Sequence, residues 1–365
     1  MDAHLVSAAR MLSLGLVHDG EPTTPAEVVR SLGCLQAQAL GGALVSIALR
    51  TGSDSLDEVR AAFDSGAIVR TWTQRGTIHI APAVDVGWIL GLTAERLMRS
   101  EAKRREHFGV DEAMLDAAAQ LAETAIAERG PLSRTELLEV FDPLVAGGRE
   151  GEEYGRQRYL LTTLSMRGVL IQGPCLDGKD ELRFALTSSW IPEPTRLEHD
   201  DALREWLRRY VLSHGPVTLD DAARWTGLPK TQCRGAIAAL REEGDIVGTT
   251  IDEREFFCAP DLEDRLSDCA EAAREVFLLP GFDELILGYK DRSFTLHPRH
   301  EKAVVPGGNG MFKNTVIEDT RARATWKKSP RRTGPPLVIE PLEGESVDVE
   351  RAQETAARHP AFVRV

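Results

Sequence analysis

The chain has 365 residues, more than one compact domain usually holds, with 42% hydrophobic and 28% charged residues. This balance excludes global disorder, a collagenous chain and a coiled coil, and no apolar run reaches the roughly 18 residues a membrane helix needs. A net charge of −13 and a pI near 5.3 argue against a sequence-blind nucleic-acid coat, because phosphate repulsion would weaken it.

The first twenty residues carry an acid near their start and no small-residue cleavage site, so they do not read as a secretory signal. Cys34, Cys175, Cys233, Cys258 and Cys269 form no C-x-x-C pair. Reduced thiols in a cytoplasm are expected, and no cysteine-based zinc site.

One local pattern then recurs along the chain. Gly130-Pro131 leads to Ser133 with Glu136 three residues on, and Gly215-Pro216 leads to Thr218 with Asp221. Each reads as a turn followed by a helix capping box. A looser copy runs from Gly20 through Pro22 to Thr24, with Pro25 at the first helical position and Glu27 at N3. Gly66 to Pro82 and Gly244 to Pro260 have the same spacing and enclose β-branched and aromatic runs, so each predicts a hairpin. Between them, Gly168–Gln172 and Leu182–Leu186 flank a Gly-rich turn and predict a third hairpin.

Helical periods separate cap from hairpin. Residues 111–129 predict an amphipathic helix with Leu115, Ala118, Ala122 and Ile126 inward, stopped by Gly130-Pro131. Residues 219–225 predict a short helix, and 230–243 a longer one after the turn Thr226–Pro229. Helix, turn, helix and two-stranded wing is the winged helix-turn-helix plan. After about residue 270, short apolar runs alternate with turn residues: 276–279, 285–287, 294–296, 303–305, 315–317, 322–326 and 337–339. They predict a small antiparallel barrel closed by a helix over 347–358. The expected fold is therefore α+β: three tandem winged helix-turn-helix units at 1–128, 129–198 and 199–265, then a C-terminal β-barrel at 270–365.

The familiar catalytic signatures are absent: no P-loop, no G-x-S-x-G, no H-E-x-x-H, and a Gly307–Gly310 run that precedes no helix. His297 and His300 lack a third ligand and read as structural, so no metal and no cofactor are expected. Two stretches are locally basic despite the acidic average. Arg96–Arg105 holds five bases against one acid, and Arg321–Arg332 holds six bases and no acid. Lys327, Lys328, Arg331 and Arg332 of the second stretch are candidate phosphate contacts.

Gln36-Ala37-Gln38 falls twelve and fourteen residues after the Thr24 cap, where the first unit's second helix should begin. Residues at i and i+2 face one side only on extended backbone, and Gly41-Gly42 makes an extended lead into a helix at Ala43 plausible. On composition alone the two read as surface amides.

Gln36-Ala37-Gln38 resembles the Gln-aliphatic-Gln motif of the AlkZ/YcaQ family of bacterial DNA glycosylases. Thr71–His79 (TWTQRGTIH), Leu278–Glu284 (LLPGFDE), Gly288–Ser293 (GYKDRS), Asn309–Phe312 and Thr325-Trp326 also resemble that family's blocks, in order, over residues 5–335. The resemblance implies tandem winged helices with a C-terminal barrel and makes Gln36 and Gln38 catalytic, with Gln at the second position as in the AlkZ branch. It implies a monomeric, cytoplasmic, nucleoid-associated enzyme acting on double-stranded DNA. Arg75, His79, Tyr289, Lys290 and Arg292 fall in its blocks and are candidate DNA contacts. Asp283 reads equally as a structural cap, and Trp72 as core.

The chemistry of two glutamines points the same way. An amide does not titrate near pH 7, but its carbonyl can hold a water and its NH₂ can donate. A cationic N7- or N3-alkylpurine needs little protonation to leave, so orienting water and stabilising an oxocarbenium-like centre suffices. The expected activity is monofunctional glycosylase action on such lesions, including bulky adducts or interstrand crosslinks made by a genotoxin, in self-resistance or general repair. The competing expectation is a non-catalytic winged-helix DNA-binding regulator or architectural protein.

Overall fold

The computed structural model describes residues 1–18, 23–146, 151–176, 181–308, 310–330, 334–359 and 362. Two compact units form: residues 1–59 with 203–365, and residues 60–202. The division falls inside the expected first unit, between Val59 and Arg60.

The unit 60–202 explains that division. Its strands lie in the order Ile78–Pro82, Ile68–Trp72, Leu170–Cys175 and Leu182–Leu186, so the hairpins expected of two separate units share one sheet. Arg70 pairs with Gln172 in register and donates a 2.6 Å side-chain bond to it. The helix Glu112–Arg129 buries Leu115, Ala118, Ala122 and Ile126, as its period predicts, against Leu137, Phe141, Leu160, Leu164 and Phe184. Trp72 packs on this cluster, which makes it core rather than a base-stacking residue.

In the unit formed by 1–59 and 203–365, the helices Leu219–Thr226 and Lys230–Glu243 lead into the hairpin of Val247–Ile251 with Arg254–Cys258. Its two-residue turn, Asp252-Glu253, has both φ angles positive, the twist a tight hairpin requires. The capping boxes at Thr24/Glu27, Ser133/Glu136 and Thr218/Asp221 are all formed, each satisfying two free N–H groups of its helix.

The Gly-Pro repeat also has a structural reason. The residue after each proline makes a two-way backbone bridge to the second strand of a hairpin: Leu132 with Phe184 at 2.7 and 2.9 Å, Val217 with Phe257 at 2.8 and 2.9 Å. Gly215 lies at this crossing, where a Cβ would stand 2.8 Å from the Val211 carbonyl oxygen and 3.0 Å from Cys258 Cβ.

The C-terminal region departs from the expected barrel. Leu337–Pro341, Arg321–Lys328, Thr315–Glu318 and Phe277–Leu279 form an antiparallel sheet in that order, and among the described residues its two outer strands do not pair. Three runs expected as strands fold otherwise. Residues 285–287 lie in a short helix, Glu284–Leu287, because the Asp283 carboxylate caps it. Residues 294–296 are a turn whose N–H groups bond back to the Arg292 carbonyl, and 303–305 end the helix Glu301–Val304. Instead of closing, the sheet is covered by the helix Val349–Arg358, whose Ala352 and Ala356 pack among Val276, Leu278, Val316 and Trp326. No helix among the described residues is long and apolar enough to cross a membrane.

The crowding at Gly215 gives a test. Gly215→Ala forces backbone or Cys258 to move and should lower stability by about 1–3 kcal/mol, measured by denaturant titration. An unchanged midpoint would show that the crossing has slack.

Candidate active site

Gln36 ends a two-residue extended segment, Leu35–Gln36, and Gln38 sits in the bend that follows. The helix then begins at Leu40, earlier than Ala43, and takes Gly41 and Gly42 into its first turn. The extended backbone places the two side chains together: Gln36 Nε2 donates to Gln38 Oε1 at 3.1 Å. Gln36 is only 5% exposed, whereas Gln38 is open to solvent. The amide pair thus runs from the interior to the surface.

The turn Pro280–Glu284 backs this segment. A Cβ on Gly42 would meet it in ordinary van der Waals contact, 3.5 Å from both Pro280 Cβ and the Gly281 carbonyl oxygen. A Cβ on Gly281 would fall 2.4 Å from the Phe312 carbonyl, so only glycine fits the turn. Phe282 takes a left-handed φ of 68°. The next two residues are buried acids whose carboxylates reach in different directions.

Asp283 receives both ends of the Arg50 guanidinium, Nη1 to Oδ2 and Nη2 to Oδ1, each at 2.9 Å. Ser46 Oγ donates to Oδ2 at 2.5 Å and the Leu285 N–H to Oδ1 at 3.0 Å. Arg50 further donates Nε to the Leu14 carbonyl at 2.8 Å and Nη1 to the Ser46 carbonyl at 2.7 Å. Burial by itself would raise the Asp283 pKa. The Arg50 charge and these donors outweigh it and hold the carboxyl below its ordinary range.

Glu284, 1% exposed, accepts from the Gln36 backbone N–H through Oε1 at 3.3 Å. Its Oε2 accepts from Trp225 Nε1 at 3.1 Å and lies 3.3 Å from His214 Nε2. Trp225 stacks on Tyr210 with centroids 4.8 Å apart. A carboxylate thus stands behind the Gln pair, but it faces the core.

The other predicted contacts divide. Arg75 and His79 belong to the unit 60–202. Arg75 holds a left-handed φ of 58° in the hairpin turn, a conformation worth roughly 1–3 kcal/mol of strain in a non-glycine residue. Its Nη2 lies 3.4 Å from His79 Nε2, while His79 Nδ1 is 3.0 Å from the Thr77 carbonyl and 2.9 Å from Thr73 Oγ1. Burial, then the Arg75 charge, push the His79 pKa well below its ordinary value, so the ring is neutral at physiological pH.

Tyr289 is fully buried, donates its hydroxyl to the His214 carbonyl at 2.9 Å and lies under Arg10 at 3.7 Å, so it cannot reach DNA. Arg292 is half-buried and tied inward, donating to the Ile286 carbonyl at 2.7 Å and to Glu301 at 2.5 Å, so phosphate would have to compete for it. Sequence blocks cannot separate such internal arginines from surface ones. Lys290 is exposed and pairs with Asp220 at 2.8 Å, and Lys327 is exposed and pairs with Glu340 at 2.6 Å. Lys328 is exposed, whereas Arg331, Arg332 and Asn309 lie outside the described residues. His297 caps the turn at Pro298, and His300 lies 3.1 Å from Glu345. Arg50, Ser46, His214 and Trp225 carry no sequence signal of their own. Only their meeting at Asp283 and Glu284 shows their part.

Comparison with known proteins follows the same lines. Residues 29–359 match the family of AlkZ-like DNA glycosylases. The chain is similar to an interstrand DNA cross-link repair glycosylase of Streptomyces sahachiroi, with 28% identity over 357 residues, covering 92% of this chain and 91% of that one. Its fold is similar to the solved structure of the Streptomyces sahachiroi DNA glycosylase AlkZ, with a TM-score of 0.79 and 25% identity, covering all of this chain and 97% of the other.

The buried pair gives a second test. Arg50→Met leaves Asp283 a lone buried charge and should cost about 3–5 kcal/mol, while Arg50→Met with Asp283→Leu should cost clearly less. Because the folded Asp283 pKa is lowered, its contribution is present above the ordinary carboxylate range near pH 3.8 and is lost as pH falls through the folded value. Equal losses in the single and double variants, by denaturant titration, would rule out the pair as the cause.

Proposed function

This chain belongs to the AlkZ-like DNA glycosylase family, and from that premise we propose that it is a monofunctional glycosylase for cationic N7- or N3-alkylated purines in duplex DNA, bulky adducts and interstrand crosslinks included. The observation that carries the reading is the Gln36–Gln38 amide pair, joined at 3.1 Å and emerging at the surface through Gln38. In the proposed reaction Gln38 orients a water toward C1′, and the two carbonyl dipoles face the oxocarbenium-like centre as the base departs. The alkylated base leaves with the bond electrons, which neutralise its positive charge, so no acid is required; the water adds at the C1′ cation and its proton passes to bulk solvent. Glu284 is buried behind Gln36, which agrees with a site that leaves neutral bases alone.

We read the cap–helix–hairpin segments as winged-helix units that track the duplex. Arg75, His79, Lys290, Lys327 and Lys328 are proposed to touch it, with Arg331 and Arg332 added on charge alone. Pairing of Lys290 with Asp220 and of Lys327 with Glu340 means that phosphate must compete for these ammonium groups. The proposed setting is the nucleoid of a bacterial cytoplasm, the enzyme working as a monomer without cofactor.

Base release from duplexes carrying defined lesions tests the chemistry. Gln36→Ala and Gln38→Ala should each slow release of N7-alkylguanine on the order of 10²-fold with duplex affinity retained. The unaltered protein should release almost no uracil, hypoxanthine or 8-oxoguanine, since those bases need an acid or a strong base. Efficient uracil release would overturn the mechanism. Full activity in both variants would remove the Gln pair from it.

Salt dependence tests the DNA-facing cations. Replacing Lys327, Lys328, Arg331 and Arg332 by Ala should weaken binding to damaged and undamaged duplex alike. The log–log salt slope should become shallower by up to roughly 0.9 for each phosphate no longer neutralised. An unchanged slope would make this run an ordinary solvated surface.

A further inference from the structure

We propose that Glu284 is the positioning residue of the Gln36–Gln38 pair: its buried carboxylate, anchored by Trp225 and His214, fixes the backbone of Gln36 and through it the reactive amide of Gln38. The inference rests on the reading of the two glutamines as catalytic.

The geometry forms a chain from core to surface. Trp225 Nε1 donates to Glu284 Oε2 at 3.1 Å, the Gln36 N–H donates to Glu284 Oε1 at 3.3 Å, and Gln36 Nε2 donates to Gln38 Oε1 at 3.1 Å. Exposure rises along it, from 1% at Trp225 and Glu284 through 5% at Gln36 to the open Gln38. Each link removes a freedom of the next. The carboxylate sets where the Gln36 backbone lies, and the Gln36 amide sets which way the Gln38 carbonyl turns.

Stability alone does not account for a carboxylate here. A buried charge is costly to desolvate, and well-packed apolar replacements of buried ionic groups are often neutral or stabilising. What a carboxylate adds is a charge-assisted acceptor with a fixed direction, stronger than a neutral one. Its anchor is stiff, because Trp225 is packed against Tyr210 on one side and meets Trp206 edge-on at 6.1 Å. His214 Nδ1 is held in turn by Ser213 Oγ at 2.8 Å. Gly288 supports the arrangement, since a Cβ there would come 2.7 Å from the His214 ring and 3.2 Å from Glu284 Oε2. Two amides catalyse only by placement, so a displacement of about 1 Å is enough to cost on the order of 10²-fold in rate.

The test compares Glu284→Ala with the near-isosteric Glu284→Gln. The second keeps the side-chain volume, the Trp225 packing and a carbonyl that can accept from the Gln36 N–H. Single-turnover release of N7-alkylguanine, duplex affinity, melting temperature and the side-chain amide NMR signals of Gln36 are measured on each. Glu284→Ala should lose rate on the order of 10²-fold with affinity retained, and the Gln36 signals should move. Glu284→Gln should recover part of the rate lost in Glu284→Ala, because one carbonyl acceptor remains in place. Should Glu284→Ala fail to fold, Glu284→Asp withdraws the acceptor by one methylene and should show the same loss and signal change. Wild-type rate with unmoved Gln36 signals in a folded variant overturns the proposal, as does a loss confined to affinity. If the unaltered protein releases no alkylated base while the Gln36 signals still respond to Glu284, the catalytic reading fails and the positioning stands.

Discussion

Two adjacent carboxylates that never reach solvent organise the unit formed by 1–59 and 203–365. Asp283 takes Arg50 and Ser46 from the helix after the Gln pair and its C-terminal flank, and Glu284 takes the Gln36 N–H from the strand before it. The segment between is therefore gripped at both ends from one short turn. Such a grip needs neighbouring side chains that diverge, and the left-handed Phe282 with the crowded Gly281 supplies the local twist. A buried Asp without its Arg would be among the costlier defects a fold can carry, so the two pieces of chain, 233 residues apart between Arg50 and Asp283, are specified together.

This explains what the sequence shows and what it hides. Capping boxes at Thr24, Ser133 and Thr218 are legible because cap and acid lie three residues apart and the physics is local. The helices from Glu112 and Lys230 are legible because their apolar faces repeat every turn. The hairpin pairing of Val247–Ile251 with Arg254–Cys258 follows from its composition. The strands assigned to 285–287 and 303–305 fail because an apolar run of three residues fits a buried helical turn as well as a strand. Capping by Asp283 and the helix Glu301–Val304 decide it.

The candidate site divides along the same line. Gln36-Ala37-Gln38 could be singled out because an extended i, i+2 pair is a local property, and the 3.1 Å amide hydrogen bond is its consequence. Tyr289 and Arg292 sit in a recognisable block yet face inward, because a block records that residues matter to the fold or the site without saying which. His214 and Trp225 lie 70 and 59 residues from Glu284 in the chain and meet it only after packing. No pattern of spacing announces such a meeting.

A weak catalyst can be a selective one. A carboxylate free beside the reacting bond would activate water toward any glycosidic bond, normal nucleotides included, whereas an amide pair helps only a bond whose leaving group is already charged. In this protein the acid nearest the glutamines, Glu284, is turned toward Trp225 and the Gln36 backbone rather than toward solvent. That acid is committed to holding structure. In the proposed reaction, discrimination then comes from the charge on the lesion, and a tight base pocket becomes unnecessary. That fits a proposed substrate range broad in size and narrow in chemistry.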